Sequence, residues 1–121
     1  MKKDKRQNIG AFGETLACDF LKKRGYKIID RNARLSYLEI DIIAKTKQEL
    51  VFIEVKTRIS QILGPADEAL KNSQIKNLKK AIVKYCAKNK QKLDNIRLDL
   101  ISVNIILPKK SAKIKHFKNI F

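Results

Sequence analysis

The chain has 121 residues, of which 28 are lysine or arginine and 12 are acidic, giving a formal charge of +16 and a pI of about 10.0. That length suits one domain with a single core and leaves no room for a second, while 44% hydrophobic content argues against a disordered chain. The charge excess goes beyond what solubility requires and points to a polyanionic partner, with nucleic acid first and an anionic membrane surface second.

Residues 1–7 read as a flexible basic N-terminus. No apolar segment follows them, and no run approaches the roughly 20 apolar residues of a membrane span, so the chain reads as cytoplasmic, with no membrane partner. From Asn8 to Arg24, Ile9, Phe12, Leu16, Ala17, Phe20 and Leu21 recur at steps of three and four, which predicts an amphipathic helix closed by Gly25. Gly13 costs such a helix up to about 1 kcal/mol relative to alanine, so its presence suggests that another backbone comes close there. Glu14 shares a stripe with Ala17, Cys18 and Leu21 at the edge of the buried side. On its own, a glutamate that merely solvates the helix flank is the plainer reading.

Tyr26–Arg31 reads as a strand and Asn32–Tyr37 as a turn or loop. Leu38–Ala44 and Leu50–Arg58 follow as two further strands around the polar turn Lys45–Glu49. Side chains two apart on a strand share a face, so Glu39 projects with Asp41, and Glu54 with Lys56. After a loop over Ile59–Gly64, the stretch Gly64–Glu68 has the proline and acids of a helix start. Between Asn72 and Lys90, Ile75, Leu78, Ile82, Tyr85 and Cys86 form a helical stripe. Lys76, Lys80, Lys84 and Lys88 step by four along another face, where like charges oppose the helix unless an anion compensates them. Ile96–Leu107 reads as a buried strand with Arg97 and Asp99 as its polar members, ended by Pro108. Lys109–Lys113 then forms a basic loop and Ile114–Phe121 an edge strand or tail. Cys18 and Cys86 stand alone, without a CxxC pair or a histidine cluster, and read as reduced. This order gives a mixed α/β fold with helices packed on a small β-sheet.

Carboxylates inside apolar strands are costly to bury without a partner. A hard divalent cation resolves the cost by taking oxygen ligands from one or two carboxylates together with substrate phosphates. An ion pair such as Asp41 with Lys56 resolves it without any chemistry, and for an isolated acid-x-Lys this is the plainer reading.

Gly13-Glu14, Arg31-Asn32, Glu39-Ile40-Asp41-Ile42-Ile43-Ala44, Phe52-Ile53-Glu54-Val55-Lys56-Thr57-Arg58 and the lysine-rich helix with Lys71 and Gln74 occur in an order that resembles the YraN-like family of bacterial proteins. That family is similar in motif order to archaeal Holliday-junction resolvases and to the PD-(D/E)xK restriction-endonuclease-like superfamily. The resemblance implies a restriction-endonuclease-like core, with Glu14, Asp41 and Glu54 as metal-site acids and Lys56 as the active-site lysine. Leu38 stands where the family usually has glycine.

With Mg2+ or Mn2+ held by these acids, the expected activity is phosphodiester hydrolysis in DNA, including branched or junction DNA. Thr57 and Arg58 suit the neighbouring phosphate, and Lys71, Gln74, Lys76 and Lys80 would extend the nucleic-acid surface. The alternative is a nucleic-acid-binding protein with little or no catalysis; intact acids weigh against it, because carboxylates repel phosphate. A homodimer is expected by the same resemblance, since resolvases cut two symmetric strands.

Overall fold

The computed structural model describes residues 5–60, 70–106 and 111–121. Helix α1 spans Lys5–Lys23, strand β1 Lys27–Leu35, β2 Leu38–Lys45, β3 Leu50–Ser60, helix α2 Asn72–Lys88, β4 Ile96–Ile106 and β5 Ser111–Phe117. Lys5, Arg6 and Gln7 therefore belong to the first helix rather than to a flexible start; none of the three disfavours helix, so nothing delays it until Asn8. Gly25, at φ +88, ends α1 as anticipated: Tyr26 N–H donates to the Leu21 carbonyl and Gly25 N–H to that of Lys22, which satisfies two orphan acceptors at once.

Further sequence expectations need correction, the first being that Ile59 and Ser60, expected to open a loop, instead end β3, where they pair with Ile105 and Ile106. The stretch Asn32–Tyr37 is not a loop: β1 runs on to Leu35 and the connection to β2 is the two-residue turn Ser36-Tyr37. Ala33 and Leu35 are buried opposite Ile40 and Leu38, and that burial extends a strand through polar neighbours. At the other end, Ser111–Lys113 is not loop but the start of β5, because Ser111, Ala112 and Lys113 pair with Ile106, Ile105 and Asn104. The expected helix start at Gly64–Glu68 and the stop at Pro108 lie outside the described residues.

The five strands lie in the order β1-β2-β3-β4-β5, all neighbours antiparallel except β3 and β4. A parallel pair needs a crossover, and α2 lies within the one between them. Alternation along the strands separates two cores. On one face Leu38, Ile40, Ile43, Phe52, Leu98 and Leu100 pack with Leu78, Ala81, Ile82 and Cys86 of α2. On the other, Ile42, Ala44, Val51, Ile53, Ile101 and Val103 pack with Ala17, Cys18 and Leu21 of α1. The result is a helix, sheet, helix sandwich. Both cysteines are buried and unbridged. Among the described residues, no helix is long and apolar enough to cross a membrane.

One charged group lies deep in this frame. Asp99 is wholly buried and accepts from Arg97 Nε and Nη2 at 2.9 Å each and from the Asn119 N–H at 2.9 Å, and it meets His116 Nε2 at 2.6 Å. Arg97 also donates to the Tyr26 hydroxyl at 2.6 Å and to Glu49 at 2.9 Å. Burial alone would push the Asp99 carboxyl up, but these donors outweigh it and hold the group below the usual carboxylate range. Arg97 and Asp99 thus tie the α1–β1 connection, the β2–β3 turn, β5 and the tail together on the α1 side of the sheet, with Asp99 in register with Ile53, next to Glu54.

Candidate active site

Asp41 sits where β2 and β3 part. Their pairing runs from Lys45 opposite Leu50 to Ile42 opposite Ile53 and does not continue to Asp41. Beyond that point the Asp41 carboxylate accepts the Val55 N–H at 2.8 Å, replacing the ladder partner that β2 no longer offers. A local break in alternation makes this possible. In β1, Asn32 adopts φ +52, and both Arg31 and Asn32 turn toward α1, where Arg31 Nη2 reaches the Thr15 hydroxyl at 3.2 Å and Asn32 bonds Glu14. Across the ladder Arg31 pairs with Ile42 and Ala33 with Ile40, so Asn32 lies opposite Asp41. Ile42 belongs to the α1-side core and Asp41 shares a cleft with Glu14, so β2 makes the matching double step.

Glu54 and Lys56 lie on the other face. They stand in register with Leu100 and Ser102 of β4, and Leu100 belongs to the α2-side core. The structure brings Asp41 and Glu54 into hydrogen-bond contact across the parting strands and sets Lys56 within electrostatic reach of Asp41. Glu14 approaches Asp41 from the α1 side, with Arg31 Nη2 at 3.8 Å from its carboxylate. The site acids therefore form a chain through the sheet, Glu14 to Asp41 to Glu54, rather than one group on one face. Among the described residues, no three His, Cys, Asp or Glu side chains stand at metal-holding spacing as they lie.

The electrostatics follow from burial. Desolvation, then the hydrogen bond and the like charge of Glu54, push the Asp41 carboxyl up to about 8, against smaller opposing effects of the Val55 N–H and Lys56. Glu14 is raised as well, by burial first and Asp41 second, with Asn32 and Arg31 opposing. A carboxylate pair sharing a desolvated gap holds more negative charge than its protein surroundings neutralise, and a cation or a proton must supply the difference.

The α1 side of the gap is a cleft of about 420 Å³ lined by Ile9, Gly10, Glu14, Asp41, Val55, Thr57, Arg58 and Ile59. Gly13 lets α1 settle onto β3 here: a Cβ at that position would collide with Thr57 Oγ1 and stand only 2.7 Å from its Cγ2. The close neighbour that the glycine signals is thus a side chain, not a backbone. Thr57 lines the cleft beneath α1, and Arg58 is exposed at its rim.

The remaining expected residues fall elsewhere. Lys71 immediately precedes α2 and Gln74 lies in its first turn, where the Gln74 side-chain oxygen accepts the Lys71 N–H at 2.9 Å, the glutamine half of a capping box. Lysine has no acceptor with which to return the bond. Lys76 and Lys80 are exposed along α2 with Lys84 and Lys88. Sequence reasoning did not place Ser102, Asn104, Lys113 and Lys115. The register sets Lys56 beside Ser102 and Lys115, and Arg58 beside Asn104 and Lys113, which makes a polar, cation-rich floor across three strands. Among the described residues, the Asn104 side-chain oxygen in that floor is the one buried side-chain N or O atom without a hydrogen-bond partner. Alternating Lys113 and Lys115 in a short edge strand was the signal available; what it lacked was the register.

With this geometry in place, comparisons with known proteins converge. The model of the uncharacterised protein family UPF0102 matches residues 13–103. A UPF0102 protein of Syntrophomonas wolfei is 37% identical over 115 residues, covering 95% of this chain and 98% of its own. One from Clostridium botulinum is 42% identical over 119 residues, covering 95% and 94%. One from Flavobacterium psychrophilum is 40% identical over 114 residues, covering 94% and 93%. Among solved structures, that of Pyrococcus furiosus SfsA in complex with Ca2+ aligns at 17% identity and a TM-score of 0.39, over 95% of this chain and 64% of that one. A likeness that slight carries no inference about activity.

Proposed function

The chain belongs to the uncharacterised protein family UPF0102, and from the acid pair at the parting of β2 and β3 we propose that it is a metal-dependent nuclease acting on phosphodiester bonds of DNA. One observation carries the reading: Asp41 is desolvated against Glu54, with Lys56 two residues beyond Glu54. A purely structural acid gains nothing from a second carboxylate beside it, whereas a divalent cation does. The net charge of +16 supports a polyanionic substrate.

The donor set fits Mg2+ or Mn2+, hard cations that take one or two carboxylates and complete their shell with water and phosphate oxygens. Asp41 and Glu54 would hold the ion, which supplies charge neutralisation and water activation when bound. Hydrolysis forms a bond from water oxygen to phosphorus and breaks one ester P–O bond; the attacking water gives up a proton and the leaving oxygen takes one up from solvent. Lys56 is suited to orient that water and to offset the charge growing on the phosphate oxygens. Glu14, whose carboxyl is raised by burial and by Asp41, is suited to receive the proton. Thr57 and Arg58 in the cleft are suited to hold an adjoining phosphate.

The test is cleavage of linear, single-stranded and branched DNA with and without Mg2+ or Mn2+. Asp41→Asn and Lys56→Ala should each lose activity while retaining most DNA affinity. Mg2+ should raise the melting temperature of the parent and of Lys56→Ala, but not of Asp41→Asn. If both variants cleave like the parent at matched purity, the activity belongs elsewhere.

A further inference from the structure

Among the described residues, the most exposed large hydrophobic side chain is Tyr37, at 78%, on the tip of the β1–β2 turn. A tyrosine ring in water forfeits burial worth having, and the chain does not leave it loose. Leu35 and Leu38 on either side are buried and paired, so the tip is a two-residue turn anchored in the α2-side core. Ser36 is held at φ +63, a conformation that a serine adopts only under constraint. Beneath the ring, Lys84 Nζ of α2 lies 5.6 Å from its centroid, within cation–π range. Lys80, one turn earlier on α2, continues the positive strip. An aromatic ring on an anchored turn, with a lysine against it and open to solvent, is the arrangement that stacks on a nucleobase while neighbouring lysines take its phosphates.

Position matters as much as chemistry. Tyr37 touches α2, so it stands on the face of the sheet that also carries Glu54 and Lys56. It precedes Asp41 by four residues of nearly continuous β2, a distance of about 13 Å at the ordinary strand rise. That span corresponds to about four stacked nucleotide steps at roughly 3.4 Å each. The bases of a continuous duplex are already stacked on one another and offer no free face to the ring. Only a strand with an unpaired base, whether single-stranded, at an end or at a branch, can use it.

We propose that Tyr37, supported by Lys84, is a stacking platform for an unpaired base a few nucleotides from the scissile phosphate, so that the substrate is DNA with a single-stranded or unpaired segment rather than continuous duplex. The inference rests on the nuclease reading of the Asp41–Glu54 site. Its test is binding, measured by fluorescence anisotropy of a single-stranded oligonucleotide carrying 2-aminopurine, with a relaxed closed-circular duplex, which has neither ends nor unpaired bases, as the competitor that reports duplex affinity, for the parent, Tyr37→Ala and Tyr37→Trp. Tyr37→Ala should weaken single-strand binding by about tenfold, the scale of one lost base–aromatic stack, and leave duplex binding within about twofold. Tyr37→Trp should retain the affinity, and 2-aminopurine should be quenched by the parent but not by Tyr37→Ala. Unchanged melting of Tyr37→Ala excludes a folding effect. Equal affinities of parent and Tyr37→Ala for the single strand, or equal losses on both substrates, overturn the platform and leave the nuclease reading intact. A parent that binds neither substrate overturns both.

Discussion

Replacing Gly13 by alanine tests how tightly α1 is seated on the site. An added Cβ would strike Thr57 Oγ1, and Thr57 Cγ2 and Cβ would lie at 2.7 and 2.8 Å. Rotating the threonine can move Oγ1 and Cγ2 aside but not its Cβ. The helix must then lift by about 0.6 Å, the gap between 2.8 Å and the 3.4 Å at which such contacts become ordinary. Overpacking of this kind costs about 1–3 kcal/mol, against which alanine returns up to about 1 kcal/mol of helix propensity. Gly10 lies in the same helix with nothing within 4 Å of its notional Cβ, so Gly10→Ala receives only the gain. At roughly 3–6 °C per kcal/mol for a chain of this size, Gly13→Ala should melt several degrees below the parent and Gly10→Ala a few degrees above it. Thermal melting by circular dichroism reads both, and Gly13→Ala combined with Thr57→Ala should lose less than the sum of the single changes. A Gly13→Ala variant as stable as Gly10→Ala would refute the close seating and, with it, the account of how Glu14 is brought to Asp41.

Further expectations follow from the same structure. The folded chain holds a proton on Asp41 up to about pH 8, whereas an ordinary aspartate releases it near 3.8, so the folded state binds more protons between those values and stability falls as pH rises through them. Without metal, Asp41→Asn should therefore be more stable than the parent at pH 8, by on the order of 2 kcal/mol, and the margin should close toward pH 4; urea titrations at both pH values would expose an error in sign. Arg97→Ala leaves Asp99 buried without its main counter-charge and should cost about 3–5 kcal/mol in the same titrations, while a loss below 1 kcal/mol would mean that Asp99 finds other satisfaction. Asp99 has a lowered carboxyl, so its contribution is present above the ordinary aspartate range and should fade as the medium is made strongly acidic. DNA affinity should fall with salt at a log–log slope of about −0.9 per phosphate contact on duplex; Lys76→Ala and Lys80→Ala should each make it shallower by up to about 1 without changing the melting temperature, and a flat slope would remove the polyanion reading.

Periodicity alone determined the helices and the central strands, because the spacing of apolar side chains is set by the geometry of one element and does not depend on its neighbours. The Gly25 stop and the Gly13 contact were legible for a related reason: a residue without a Cβ in a helical pattern reports a backbone or packing demand. What the chain could not disclose is which residues face one another. Strand parity paired Glu39 with Asp41 and Glu54 with Lys56, and both pairs hold; what parity could not show is that the double steps at Asn32 and Asp41 set the two pairs on opposite faces of the sheet while leaving Asp41 against Glu54. The extension of β1 to Leu35 and the start of β5 at Ser111 were hidden by polar composition, since the partners that make strands of them are distant in sequence. The buried cluster around Asp99, the Lys56–Ser102–Lys115 row and the place of Tyr37 beside Lys84 all depend on register and helix docking. Those are settled by long-range packing, where a shift of a single residue would turn each side chain to the opposite face.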